Sequence, residues 1–199
     1  MPVPDLATDI VLGDERVLLR PLTSADATHL LPFSLKEPGL WRFSMIGAAG
    51  EEALAHYIAL ALEARAAGRE YPFIVFDKRT NVYAGSTRFY DIQPQNRTLQ
   101  LGYTWYGQQF QGTGLNAHCK FLLLQQAFDV WDMERVEFRA DARNARSIAA
   151  MKGIGCTVEG ILRSTGPTPD GGRRDSIVLS ILRDEWSARV RALLAQRCG

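Results

Sequence analysis

A chain of 199 residues, 46% hydrophobic and 23% charged, is long enough to bury one sizeable core. Its 23 Lys and Arg against 22 Asp and Glu leave a net charge of +1, which excludes a broad attraction to nucleic acid or to an anionic membrane surface. The cysteines, Cys119, Cys156 and Cys198, are odd in number, widely spaced and without a CxxC pair, so they read as reduced cytosolic thiols.

The amino-terminal stretch MPVPDLATDIVLG lacks the basic and apolar regions of a secretory signal, and no apolar run approaches membrane-spanning length. A cytoplasmic protein folding as one domain over residues 1–199 is predicted. ERVLLRPLT (15–23) reads as a first strand, with Ser24 as the N-cap of a helix from about Ala25. SLKEPGLWRFSMIGAAG is loop chemistry carrying the large apolar side chains Trp41, Phe43 and Met45, either as a mobile wall of a site or as a seal over the core. A second helix is predicted over Glu51 to Arg65, acidic in its first turn and ended by Gly68.

YPFIVFD (71–77), VYAGSTRFYDI (82–92) and RTLQLGYTW (97–105) are β-type runs joined by Asn- and Pro-containing turns, which predicts an antiparallel meander. After Gly114, Leu115, Cys119, Leu122 and Leu123 cover too wide an arc for a surface helix, so this helix packs on a sheet. RVEFRA (135–140) reads as a strand, NARSIAAMK (144–152) as a short helix, and CTVEGILR and DSIVLSIL as two strands before a last helix anchored by Trp186. This order argues a single α/β or α+β layer fold.

FQGTGLNAHCK (110–120) places two glycines at the mouth of the sheet-packing helix. Such a turn presents consecutive N–H groups and the positive helix end to one point, where a phosphate can sit; a plain tight turn explains the same glycines. The dinucleotide pattern GxGxxG/A fits Gly112, Gly114 and Ala117, but YGQQFQ intervenes between strand and glycine, and no Walker Lys-Ser/Thr follows. An NAD(H) site is therefore a distant alternative.

Gln111-Gly112-Thr113-Gly114-Leu115-Asn116 resembles the acetyl-CoA loop of the GNAT N-acetyltransferases, in the branch typified by ribosomal-protein N-terminal acetyltransferases, with Asn116 where Gly or Ala is usual. RVLLRPLT, LGYTWYGQQFQGTG, NARSIAAMKGIGCTVEGILR and DGGRRDSIVLSILRDEW are similar to other segments of that branch in the same order, so the resemblance spans roughly residues 15 to 187. It implies a mixed, mostly antiparallel twisted sheet of about seven strands, splayed at the fourth and fifth and flanked by helices. It implies acetyl-CoA as co-substrate without a metal, with Thr104, Trp105 and Tyr106 along the pantetheine and Gln111, Gly112, Thr113, Gly114, Leu115 and Asn116 around the pyrophosphate. The side chain of Asn116 would bond the cofactor, crowd it, or bond the local backbone.

Asn144 and Ser147 lie at i,i+3 at the start of one helix. Taken alone they are an N-cap and a surface Ser. The family's usual tyrosine acid, seven residues after this Asn, is replaced by Met151, and the resemblance makes Ser147 the candidate proton donor, with Asn144 both catalytic and cofactor-binding and Tyr106 or another tyrosine as substitute. The reaction implied is direct attack of an amine on the thioester in a ternary complex, helped by an oxyanion-binding N–H of the fourth strand. Cys119 is read as core and His118 as a polar helix residue.

A general base is missing from the expected place, where Gln100 replaces the family's Glu; Asp91 and Glu137 are fallbacks. Deprotonating a lysine amine at neutral pH costs about 4 to 5 kcal/mol, an α-amine only about 1, so a site with a weak base suits a protein or peptide α-amino group. A small-molecule amine acceptor and a non-catalytic acyl-CoA sensor are the alternatives. Arg139, Arg143 and Arg146 gather near the Asn-x-x-Ser helix as phosphate partners or as a solvated face, and Arg173, Arg174 and Asp175 are read as structural. Neither nucleic acid nor membrane is expected as a partner, and a homodimer is compatible with the pattern.

Overall fold

The computed structural model describes residues 5–168 and 171–199. The first four residues of the amino-terminal reading, and Asp170 of the DGGRRDS run, lie outside the described residues. Among those described, the strands are β1 (Leu12–Gly13), β2 (Val17–Pro21), β3 (Tyr71–Asp77), β4 (Val82–Gln93), β5 (Thr98–Tyr106), β6 (Arg135–Asp141), β7 (Thr157–Pro167) and β8 (Arg173–Leu182). They form one sheet in the order β1-β2-β3-β4-β5-β6-β8-β7. The expectation of about seven strands misses β1, whose two residues are too few for an alternating pattern.

Every neighbouring pair is antiparallel except β5 and β6, which run parallel. That pair holds only for Thr98↔Arg135, Leu99↔Val136 and Gln100↔Glu137, whereas β6 stays with β8 along its whole length. From Leu101 onward β5 keeps β4 on one side and leaves its other edge open. A bulge lies in the same stretch: Ser86 pairs with Trp105 and Arg88 with Gly102, so Tyr103 and Thr104 together oppose Thr87. Tyr103 takes φ +48°, a left-handed conformation that costs a bulky residue strain.

Helices cover both faces. Thr87 and Thr104 meet α3 (Leu115–Gln125), while their neighbours Arg88 and Trp105 meet α2 (Glu51–Ala66) and α1 (Ala27–Lys36), because successive side chains of a strand point to opposite faces. α3 runs on through a π-type turn, Gln126–Val130, and packs against the carboxy-terminal α5 (Arg183–Glu185) and α6 (Arg191–Cys198). Trp186 anchors that end by stacking on Phe128, with ring centroids 5.7 Å apart. A short helix, α4 (Ala145–Gly153), follows β6. Among the described residues no helix is long and apolar enough to cross a membrane.

The expected Ser24 cap is corrected. A 3-10 turn over Ser24–Asp26 precedes α1, and Thr23 starts it, with the Asp26 carboxylate accepting from the Thr23 N–H at 2.8 Å. Asp26 is 1% exposed and also takes a two-pronged bond from Arg20 at 2.9 and 2.6 Å. Burial would raise this carboxyl, but the guanidinium and the Thr23 groups outweigh it and hold it below the ordinary carboxylate range. Its contribution is therefore present at neutral pH and is lost as the pH falls through the depressed value. Asp26→Ala is expected to cost about 3 kcal/mol at pH 7, since it removes a cap and half of a largely buried pair. Urea unfolding at pH 7 and pH 3 checks this, with the gap to wild type narrowing at the acid end.

Candidate active site

The open edge of β5 leads into the glycine loop that the sequence offers as a candidate anion site. Gly112 and Gly114 sit at φ +73° and +89°, and a Cβ on either would meet nothing within 4 Å, so the ground before the loop is clear. Gly114 is the N-cap of α3 and no side chain caps that helix, which leaves its first N–H groups for an outside acceptor.

The loop is held from several directions. Thr113 Oγ1 donates to the Phe110 carbonyl at 2.8 Å, and Gln111 Nε2 donates to the Tyr106 carbonyl at 2.9 Å. Arg146 of α4 donates to Gln111 Oε1 at 2.5 Å, and Arg16 reaches Thr113 Oγ1 at 3.4 Å. Of the three arginines near α4, only Arg146 turns to the loop; Arg139 pairs with Glu137 and Arg143 with Asp141. Leu115 is core, and Asn116 is half-buried and makes no side-chain hydrogen bond to a described residue. The base of α3 is tied by His118, whose Nδ1 lies 2.7 Å from Asp14 Oδ2; Asp14 Oδ1 accepts from the Arg16 and Val17 N–H groups. His118 is thus a polar helix residue, buried as an anchor of α3.

Along β5 the three residues assigned to the pantetheine divide. Thr104 is half-exposed. Trp105 is packed edge-on between Trp41 and Phe33, at 5.0 and 6.1 Å, and the Tyr106 phenol is buried against Cys119, where burial pushes its pKa well above the ordinary value. The strand therefore offers backbone at Trp105 and Tyr106, and Tyr106 is a poor proton donor. Trp41 seals the core; Met45 is exposed.

Asn144 caps α4, its Oδ1 accepting from the Ser147 N–H at 3.1 Å. Ser147 is half-buried, and its hydroxyl makes no hydrogen bond to a described residue. Met151 is buried. The fallback bases are engaged: Glu137 is bonded by Arg135 and Arg139 at 2.7 and 2.6 Å, and Asp91 accepts from Gln100 Nε2 at 2.8 Å. Gln100 Oε1 is buried without a partner among the described residues. Asp175 accepts from the Ser164 N–H, and Arg174 donates to the Phe43 carbonyl at 2.6 Å, which ties the loop after α1 to β8.

Two buried cations escape the sequence reading. Arg88, 2% exposed, pairs with Glu70 at 2.7 Å and lies over the rings of Tyr103 and Tyr57 at 4.1 and 4.7 Å. Lys120, 5% exposed, donates to Thr104 Oγ1 at 2.8 Å and to Thr87 Oγ1 at 3.5 Å, and no described carboxylate pairs with it. Burial pulls its amine down to about 8. The sequence signal for Lys120 is a charged residue inside the over-wide apolar arc of α3.

Comparison with known proteins follows this geometry. A family model described as an acetyltransferase (GNAT) domain matches residues 16–157. Over 103 residues the chain is 31% identical to the Bacillus subtilis (strain 168) protein named "Putative ribosomal N-acetyltransferase YdaF", covering 51% of this chain and 55% of that one, so the match spans about half of the relative. The crystal structure of a "putative acetyltransferase" from T. thermophilus is 32% identical, with a TM-score of 0.85 over 95% of this chain and 97% of the other. At 19% identity, a Salmonella typhimurium acetyl transferase that modifies the N-terminal serine of 50S ribosomal subunit protein L7/L12 shares the fold, with a TM-score of 0.77 over 87% and 99% of the two chains.

The Lys120 amine also makes a stability prediction. A lysine depressed from 10.5 to about 8 in the folded state carries a penalty of about 3 kcal/mol below pH 8, which disappears as the pH rises toward 10.5. Replacement by Met of similar length removes that penalty and loses about 1 kcal/mol of hydrogen bonding. Lys120→Met is expected to be about 2 kcal/mol more stable than wild type at pH 7, with the advantage gone by pH 10. Paired urea titrations test it, and the titrating thiols common to both proteins cancel in the difference.

Proposed function

The chain belongs to the GNAT acetyltransferase family, and from that premise we propose that it transfers an acetyl group from acetyl-CoA to an amine, specifically to the α-amino group of a protein or peptide, by direct attack in a ternary complex. The observation that carries the reading is the conjunction of an uncapped α3 behind two left-handed glycines with the unpaired edge of β5. Acetyl-CoA supplies the acyl group already activated as a thioester. The loop from Gln111 to Asn116 would hold its phosphates through backbone N–H groups, with Arg146 and Arg16 as the nearest cations. The open edge of β5 would pair with the amide-bearing arm, and the bulge at Tyr103 and Thr104 turns backbone N–H away from the β4 ladder, where an oxyanion donor is needed.

Ser147 is assigned the proton donor because its hydroxyl is uncommitted and Asn144 fixes the turn that carries it. Asn144 acts here as a positioning residue. The acceptor class follows from the missing base: with Glu137 held by two arginines and Asp91 by Gln100, the site favours an amine that is partly neutral by itself, as an α-amine is. The names of the Bacillus subtilis and Salmonella typhimurium proteins point the same way, toward a ribosomal-protein N-terminus. The same engaged acids, with Met151 in place of a tyrosine, favour a second reading in which the fold binds acyl-CoA as a sensor without turnover.

Isothermal titration with acetyl-CoA and NADH, followed by thiol release over peptide α-amines, lysine peptides and small amines, tests the reading. Acetyl-CoA is expected to bind, NADH not to, and α-amines to turn over fastest. Ser147→Ala should lower kcat by a factor of about 10 to 100 and leave acetyl-CoA affinity within about twofold. Binding without turnover on any amine supports the sensor; absence of acetyl-CoA binding overturns both.

A further inference from the structure

Lys120 is a buried cation that the acyl-transfer scheme leaves unused, and its position is specific. Its Nζ lies 2.8 Å from Thr104 Oγ1, and Thr104 is one of the two bulge residues of β5. Thr104 Oγ1 is also 2.7 Å from Thr87 Oγ1. Either threonine can donate in that pair, and each hydroxyl lies 3.4 Å from the Gly102 carbonyl; in the arrangement where the amine donates to both oxygens and Thr87 donates to Thr104, the Thr104 hydrogen keeps only that long contact. Thr104 alone of this cluster is half-exposed. The cluster therefore points a charge-backed O–H from the protein interior toward the open side of the bulge.

A buried ammonium without a counter-ion is costly, and its cost falls when an anion arrives. The titratable groups around Lys120 do not supply one. Cys119 on its own helix and Cys156 after α4 are both pushed up to about 12 by burial, and the Tyr106 phenol on β5 lies against Cys119 with its pKa also raised, so all three are neutral at pH 7. β4 contributes only the Thr87 hydroxyl.

We propose that Lys120, acting through the Thr104 hydroxyl, is the positive charge that stabilises the CoA sulfur as it leaves. This rests on the reading of β5 as the strand that receives acetyl-CoA. As the amine nitrogen forms its bond to the acyl carbon, the carbon–sulfur bond breaks and its electron pair departs on sulfur. The amine proton goes to solvent or, through Ser147, to the sulfur, and Lys120 keeps its own proton throughout. Thr104 touches the sulfur; Lys120 is a positioning residue that polarises Thr104. A leaving thiolate faced by a charge needs a weaker acid than a tyrosine, which suits a site where Met151 has replaced one.

The test reads the thiol of bound CoA directly and needs no acceptor. CoA is bound to the full chain, binding is confirmed calorimetrically, and thiolate absorbance near 240 nm is followed from pH 6 to 9.5 against CoA-free protein. In wild type the bound thiol is expected to ionise about one pH unit or more below free CoA. In Lys120→Met and in Thr104→Val, each titrated at a CoA concentration that calorimetry shows to saturate it, the titration should return to that of free CoA. Thr104→Val leaves the lysine in place and decides the matter if the Met variant does not fold. Unshifted ionisation in wild type, or a shift that survives both substitutions, overturns the proposal while leaving the acetyl-CoA reading intact. Absence of CoA binding to wild type overturns the acetyl-CoA reading and this proposal with it.

Discussion

The parting of β5 from β6 after three residue pairs is the constraint on which the rest of this molecule depends. A parallel pair that continued to Tyr106 would satisfy every backbone group of β5 and leave no place for an extended ligand to pair. Antiparallel β8 keeps β6 rigid on its far side, so the separation falls entirely on the β5 side of the gap. The bulge at Tyr103 and Thr104 sits at that parting, and its strained Tyr103 is braced by Arg88 over one ring face and Tyr90 at 5.0 Å edge-on. Backbone strain and a buried cation are thus spent together in the few residues where a ligand edge is exposed.

Charge in the site follows a consistent pattern. The carboxylates near the cleft are each matched by a donor: Glu137 by Arg135 and Arg139, Asp141 by Arg143, Asp91 by Gln100. On the loop and on α3, Arg146 reaches an amide oxygen and Lys120 two hydroxyls, while Arg16 divides between Asp77 at 3.1 Å and the Thr113 hydroxyl. The near-zero net charge of the sequence does not report this local arrangement.

Local chemistry was legible in the sequence and pairing across the fold was not. The meander, the glycine loop and the Asn144 cap each follow from neighbours in the chain: turn residues at β-run ends, Gly112 and Gly114 before an apolar arc, Asn three residues before Ser. Ser24 failed as a cap because Asp26 is drawn to Arg20, a partner set by the end of β2. Trp105 and Tyr106 carry a family position but not its direction, since strand alternation after an unforeseen bulge sends one side chain to α1 and the next to α3. Lys120 and Arg88 draw no reading from the sequence, because their burial depends on the sheet and helices that pack over them.

The side chain of Gln111 has a mechanical meaning. Its nitrogen holds the carbonyl that ends β5 and its oxygen holds an arginine of α4, so a single amide spans the two lips of the cleft. An amide is rigid and of fixed length, which sets the aperture before any ligand arrives. On the proposed reading, a cleft gauged in this way would spend little conformational entropy on taking up an extended amide-bearing chain.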